Sequence, residues 1–251
     1  MMMAEKIISD TTRIYVIGDI HGRLDLLEQM IAEIRRDVEE HNGDGLTVTL
    51  GDYVDRGPDS RGVLDRLASN PFVTPYVALK GNHEDLFEIF LRDPAFGADW
   101  RHIGGLETLN SYGISAAPLL MGKGYEAAAE QLQAVMPPEH FKFLASLKTS
   151  LDVGRYFLCH AGVRPGISFE RQTERDLLWI REEFLNSRID FGKIVVHGHT
   201  PVEEPEVMSN RINIDTGAFA TGRLTCVVLE GDRQRFLYAN SRSKEGSLSP
   251  K

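Results

Sequence analysis

Short apolar runs recur along the chain, and most stop abruptly at Gly, Asp, Asn or His. RIYVIG runs into Asp19, LTVTLG into Asp52 and YVALKG into Asn82. YFLC runs into His160, and KIVV into His197. Each run is short and rich in Val, Ile, Leu or Tyr, so each predicts a buried strand. Two later runs, Arg211–Ile214 and Leu224–Leu229, predict further strands of the same core. Between the early strands the spacing changes. Leu24, Leu27, Ile31, Ile34 and Val38 follow steps of three and four, which is one face of a helix. His41-Asn42-Gly43 then supplies a stop and a turn. Val63, Leu64 and Leu67 mark a second helix, and Leu86, Phe87, Phe90 and Leu91 a third. Alternation of strands with helices predicts an α/β fold.

The order changes from about Asp93 to Thr149, where Ala, Glu, Gln and Leu dominate. Tyr125–Met136 is the clearest helix here; Pro137-Pro138 breaks it and can start another through Leu147. This reads as a helical insertion in a single domain spanning residues 13–240. A packing layer is the simpler expectation for it, a lid over a site the other. Residues 241–251 are polar and are expected to form a flexible tail.

Composition narrows the class. Of 251 residues, 42% are hydrophobic and 26% charged, which excludes wholesale disorder. Lys and Arg number 28 against 37 Asp and Glu, a net charge of −9. That balance argues against nucleic acid or an anionic membrane as the main partner. It leaves room for a phosphorylated substrate, because local cations can override net charge. Cys159 and Cys226 sit in apolar runs and read as buried thiols of a reducing compartment. No run approaches the roughly 20 apolar residues of a membrane span. The opening residues lack a signal-peptide pattern, so a soluble cytoplasmic protein is expected.

The strand ends carry one kind of chemistry. They read Asp19-Ile20-His21, Gly51-Asp52-Tyr53-Val54-Asp55-Arg56-Gly57, Gly81-Asn82-His83-Glu84, His160-Ala161-Gly162 and His197-Gly198-His199-Thr200. In open α/β folds ligands bind beyond the carboxyl ends of strands, so these side chains would converge. All offer oxygen or imidazole and none a thiolate, a set suited to Mn, Fe or Zn. Two divalent cations about 3.5–4 Å apart repel, and a shared carboxylate is the usual remedy. Asp52 is the best candidate for that bridge. Such a pair can also turn a bridging water into hydroxide near neutral pH.

These segments resemble the calcineurin-like metallophosphoesterases. GDIHG, GDYVDRG and GNHE look most like the bacterial phosphoprotein phosphatase branch that includes bacteriophage lambda phosphatase. The resemblance runs in order from about Arg13 to Leu229, and GDYVDRGPDS followed by GNHE is its specific part. It implies the calcineurin-like fold, with central β-sheets flanked by helices. It implies two divalent ions, Mn2+ first and Fe or Zn as alternatives. Asp19 and His21 would bind the first metal, Asp52 would bridge, and Asn82, His160 and His199 would bind the second. His83 would protonate the leaving alkoxide, and Asp55 would orient His83. Arg56 would clamp phosphate oxygens with its planar fork. Arg181, in LLWIREEF, looks like a second phosphate arginine; the alternative is an ion pair with Glu182, Glu183 or another acid.

Other residues carry plainer expectations. The pattern places the ligand directly after Gly198, so His197 reads as a buried strand residue or a support for a ligand. Asp215 either orients a ligand histidine or makes an Asx-type turn. Glu84 is expected to stabilise the start of its helix through the dipole. His41, His102 and His140 lie outside the motifs and are expected to be solvated.

The function expected is hydrolysis of a phosphate monoester, foremost phosphoserine or phosphothreonine in a protein, by a dimetal-bridged hydroxide. The alternative is a nucleotide hydrolase splitting a diadenosine polyphosphate. An anhydride leaving group is already acidic, so Asp55 together with His83 favours the monoester. An inactive binding module is a third class, set against the full complement of expected ligands.

Overall fold

The computed structural model describes residues 12–41 and 45–241. The first half alternates as expected: β1 (Arg13–Ile17), α1 (Leu24–His41), β2 (Gly45–Thr49), α2 (Ser60–Ala68), β3 (Tyr76–Ala78) and α3 (Asn82–Arg92). The insertion follows as α4 (Gly97–Trp100), α5 (Gly105–Ser111), α6 (Ala117–Leu120), α7 (Tyr125–Val135) and α8 (Pro138–Ser146). Then come β4 (Ser150–Val153), β5 (Tyr156–Cys159), α9 (Glu174–Trp179), α10 (Glu182–Leu185) and β6 (Ile194–His197). The chain continues with β7 (Glu206–Val207), β8 (Arg211–Asn213), α11 (Ala218–Thr221), β9 (Arg223–Glu230) and β10 (Arg233–Asn240). Asn42 and Gly43 of the expected stop, and the tail past Ser241, lie outside the described residues.

The strands divide into two five-stranded sheets, ordered β10-β9-β1-β2-β3 and β4-β5-β6-β8-β7. The motif-bearing strands run parallel within each sheet: β1 with β2, β2 with β3, β5 with β6 and β6 with β8. Val16, Val48 and Val227 of the first sheet pack against Leu158, Val196 and Ile212 of the second. That interface is apolar and rich in branched side chains, so the sheets sit face to face. Outside the first sheet, α1, α2, α3 and the insertion bury Leu27, Val63, Phe87, Trp100 and Leu132. Outside the second, α9 and α10 cover Phe157 and Val195 with Leu177 and Phe184. The result is four layers, helix, sheet, sheet, helix, with the motif ends of both sheets on one rim.

The insertion packs as a layer, and one of its residues corrects an expectation. His140 on α8 is buried rather than solvated. Its Nδ1 lies 2.7 Å from the Tyr112 hydroxyl and its Nε2 2.8 Å from Asp65 Oδ1, which fastens the insertion to α2. His41 and His102 are exposed. Among the described residues no helix is long and apolar enough to cross a membrane.

Candidate metal centre

Each candidate metal ligand follows the end of a strand. The loop after β1 docks on the loop after β2: the amides of Ile20 and His21 donate to Asp52 O at 3.1 and 2.7 Å. His21, Asp52, Asp55, Arg56 and His199 all have left-handed φ, between 44° and 69°. Side chains rarely adopt that conformation, so the surrounding bonds must hold these turns in place. Two glycines make room for the carboxylates. A Cβ on Gly81 would lie 2.2 Å from Asp52 Oδ1, and one on Gly198 2.1 Å from Asp19 Oδ1.

Glu84 does more than favour a helix dipole. It is fully buried, and its carboxylate accepts from the amides of Gly81 (2.9 Å), Asp52 (2.8 Å), Tyr53 (2.7 Å) and Val54 (3.3 Å). One side chain therefore caps α3 and pins the Asp52 loop to it. Burial, and then the Asp52 charge, push its carboxyl up to about 7 against those donors.

The structure brings Asp19, His21, Asp52, Asn82, His160 and His199 together, all buried. His21 Nδ1 donates to Val54 O at 2.9 Å, and His160 Nδ1 to Leu50 O at 3.0 Å. Their Nε2 lone pairs then face Asp52 Oδ2 at 3.3 Å and Asp52 Oδ1 at 3.4 Å. Asn82 Oδ1 lies 2.8 Å from His160 Nε2 and 2.7 Å from His199 Nδ1. Asp19 Oδ2 accepts from the His199 amide at 3.0 Å, while its buried Oδ1 has no partner.

This crowding needs positive charge. Burial lowers the imidazole of His21 to about 3 and that of His199 to about 2, and it lowers His160 as well. Neutral imidazoles cannot supply the missing protons. Burial opposes ionisation of Asp52, yet His160, His83 and His21 hold its carboxyl below the ordinary carboxylate range. Burial and the charges of Asp215 and Asp52 drive Asp19 well above that range. Lone pairs aimed at carboxylate oxygens, beside an unpartnered carboxylate oxygen, are the donor set of a cation site. Two clusters have the spacing for it, His21–Asp52–His83 and Asp52–His160–His199, and they share Asp52.

His83 stands between the two roles. Its Nδ1 lies 2.7 Å from Asp55 Oδ2, and its buried Nε2 has no hydrogen-bond partner. Burial alone would lower its pKa, but Asp52 and the bond to Asp55 prevail and raise it. Asp55 is saturated. Trp100 Nε1 donates to Oδ2 at 3.0 Å, the Thr108 hydroxyl donates to Oδ1 at 2.7 Å, and the Asp55 amide reaches Ser60 Oγ at 3.0 Å. Trp100 and Thr108 belong to the insertion and escaped sequence reasoning, since neither stands in a polar motif.

The remaining expectations resolve differently. Arg56 Nη1 lies 3.1 Å from His21 Nε2, at the mouth of the centre. Arg181 is exposed, and its charge is felt by His160 and His199. Among its alternative partners, Glu183 pairs with Arg164 at 2.7 Å, and Glu182 accepts from Asn186 at 2.9 Å. His197 is a buried strand residue whose ring abuts Phe184, outside both clusters. Asp215 makes the Asx-type turn, accepting from the Gly217 amide at 2.9 Å, and it faces Asp19 rather than a histidine.

Known proteins resemble this chain. A family model described as calcineurin-like phosphoesterase matches residues 12–223. Serine/threonine-protein phosphatase 1 of Salmonella typhimurium is 30% identical over 221 residues, covering 84% of this chain and 89% of that protein. The asymmetrical bis(5'-nucleosyl)-tetraphosphatase PrpE of Anoxybacillus flavithermus is 29% identical over 234 residues, covering 84% and 88%. The crystal structure of a candidate diadenosine tetraphosphatase superposes with a TM-score of 0.63 at 22% identity, covering 92% of this chain and 96% of that one. That last likeness is one of fold.

Proposed function

The chain belongs to the calcineurin-like phosphoesterases, and from that premise we propose that it hydrolyses phosphate monoesters, with phosphoserine and phosphothreonine in proteins as its substrates. The observation that carries the reading is the His83–Asp55 pair, 2.7 Å apart, with His83 Nε2 left unpartnered beside Asp52. A serine or threonine alkoxide is a poor leaving group and needs a proton as its P–O bond breaks. Nε2 is the atom that would donate it, and Asp55 would hold the ring turned and charged for that donation.

Asp19, His21 and Asp52 would hold one divalent cation, and Asp52, Asn82, His160 and His199 a second, with Mn2+ first and Fe or Zn as alternatives. Bound there, the cations would supply a nucleophile from water near neutral pH and neutralise phosphoryl charge. Arg56 and Arg181 would hold the equatorial oxygens from the open side. The buried free thiols Cys159 and Cys226 fit a reducing, cytoplasmic setting.

A second reading is favoured by the PrpE relative, whose name assigns it a dinucleoside tetraphosphate. The test loads metal-free protein with Mn2+ and compares a phosphoserine/phosphothreonine peptide, a phosphotyrosine peptide and diadenosine tetraphosphate. Faster turnover of the phosphoserine/phosphothreonine peptide is expected. Preference for the dinucleotide would overturn the substrate assignment and leave the family standing.

A further inference from the structure

Arg56 is held in an unusual way for a cation at the mouth of a metal centre. Among the described residues it has no ion-pair partner. Its backbone is in the left-handed region, φ 66°, and its amide donates to Gly104 O at 3.1 Å. Its guanidinium carbon lies 4.8 Å from the centroid of the Phe219 ring. The same ring meets His21 edge-on at 5.4 Å. Phe219 is 36% exposed, an apolar ring left partly in water beside buried polar groups.

The chain fixes that ring with some care. Phe219 lies on α11, directly after the Asp215 turn. Asp215 holds the Gly217 amide, and Arg23 Nη1 donates to Ala218 O at 2.7 Å. The Thr221 hydroxyl donates to Thr216 O at 2.8 Å. Arg23, Asp215 and Thr221 thus position a ring that packs on a guanidinium and a ligand histidine. A planar guanidinium stacks on an aromatic face while leaving its edge N–H groups free. An arginine ordered before its ligand arrives loses less freedom on binding.

We infer that Phe219 is a positioning residue for Arg56, presenting its guanidinium edge to the phosphate of the substrate. This rests on the reading of Arg56 as a phosphate clamp. The ring makes no bond to phosphate; it keeps the cation in one place.

The test measures inorganic phosphate affinity of the Mn2+-loaded protein by calorimetry, with KM and kcat for p-nitrophenyl phosphate alongside. Phe219→Ala and Phe219→Leu are expected to weaken phosphate binding and raise KM about three- to tenfold, with a smaller change in kcat. Leu keeps the apolar bulk and lacks the aromatic face, so folding losses are separated from loss of the stack. Phe219→Tyr and Phe219→Trp should restore the wild-type values. In an Arg56→Ala background, Phe219→Ala should change nothing further. Wild-type affinity in Phe219→Leu overturns the inference, as does an equal loss with Arg56 already absent. Wild-type phosphate affinity in Arg56→Ala itself instead overturns the clamp reading, and this inference with it.

Discussion

If His83 is the proposed acid, its two ring nitrogens have different tasks. Nδ1 is spent on Asp55, so only Nε2 can serve a departing oxygen. His83→Asn should lower kcat on a phosphoserine peptide by about 10²–10⁴. The loss should be smaller on p-nitrophenyl phosphate, whose phenolate leaves without a proton. Metal content by mass spectrometry should stay unchanged. Peptide turnover near wild type would remove His83 from the reaction. His83 was legible in the sequence because it stands beside other polar residues at a strand end. Trp100 and Thr108, which bind the same Asp55, were not. Trp100 packs on Phe90 with ring centroids 4.4 Å apart and reads along the chain as an ordinary core residue. Its one polar atom finds Asp55 from 45 positions away, and no periodicity marks such a meeting. His140 misled for the reverse reason, since it is a polar residue outside every motif whose partners come from α2 and the α5 end.

At the scale of elements, α3 and the Asp52 loop are one unit because Glu84 joins them. Glu84→Gln keeps the shape and replaces one acceptor oxygen with an N–H donor facing backbone N–H groups. It should cost about 1–3 kcal/mol of stability, read from chemical denaturation. An unchanged denaturation midpoint would mean the loop holds itself. On α1, Asp37 plays a similar part at the other end of the molecule. It accepts from the Tyr15 hydroxyl at 2.7 Å and pairs with Arg13 at 3.2 Å and with Arg235. Burial opposes its charge, but the Tyr15 and Arg235 bonds prevail and hold its carboxyl below the usual range. The pair energy is therefore complete above the ordinary carboxylate pKa and is lost as pH falls through the lower folded value. Asp37→Asn should melt below wild type at pH 7, and the gap should close below about pH 4. A gap independent of pH would assign the effect to packing. The strands feeding the site were legible because each is a clean apolar run. β10 was not, because its residues are mostly exposed or half-buried and Arg233, Gln234 and Arg235 open it.

At the scale of the molecule, the candidate ligands come from both sheets. Asp19, His21, Asp52 and Asn82 follow β1, β2 and β3, while His160 and His199 follow β5 and β6. A cation held by Asp52 and His160 would tie one sheet to the other. Saturation with Mn2+ at about 100 times its Kd should add about 2.7 kcal/mol of stability, seen as a rise in Tm that a chelator reverses. His160→Ala should abolish most of that rise. An equal Tm with and without metal would place no cation between the sheets. More than one sheet was expected from the family resemblance alone; how the strands divide between the sheets was not legible in the pattern, because strands of either sheet carry the same apolar pattern and nothing local says which neighbour each will choose. The insertion, finally, reaches into the centre three times: Trp100 and Thr108 hold Asp55, and Gly104 holds the Arg56 amide. It is therefore not an interchangeable cassette. A graft that traded residues 93–149 for another protein's segment, aiming only at new selectivity, would detune the acid and the arginine in the same stroke. On the proposed reading, selectivity and reactivity in this chain would share one inheritance, and neither would be free to drift without the other.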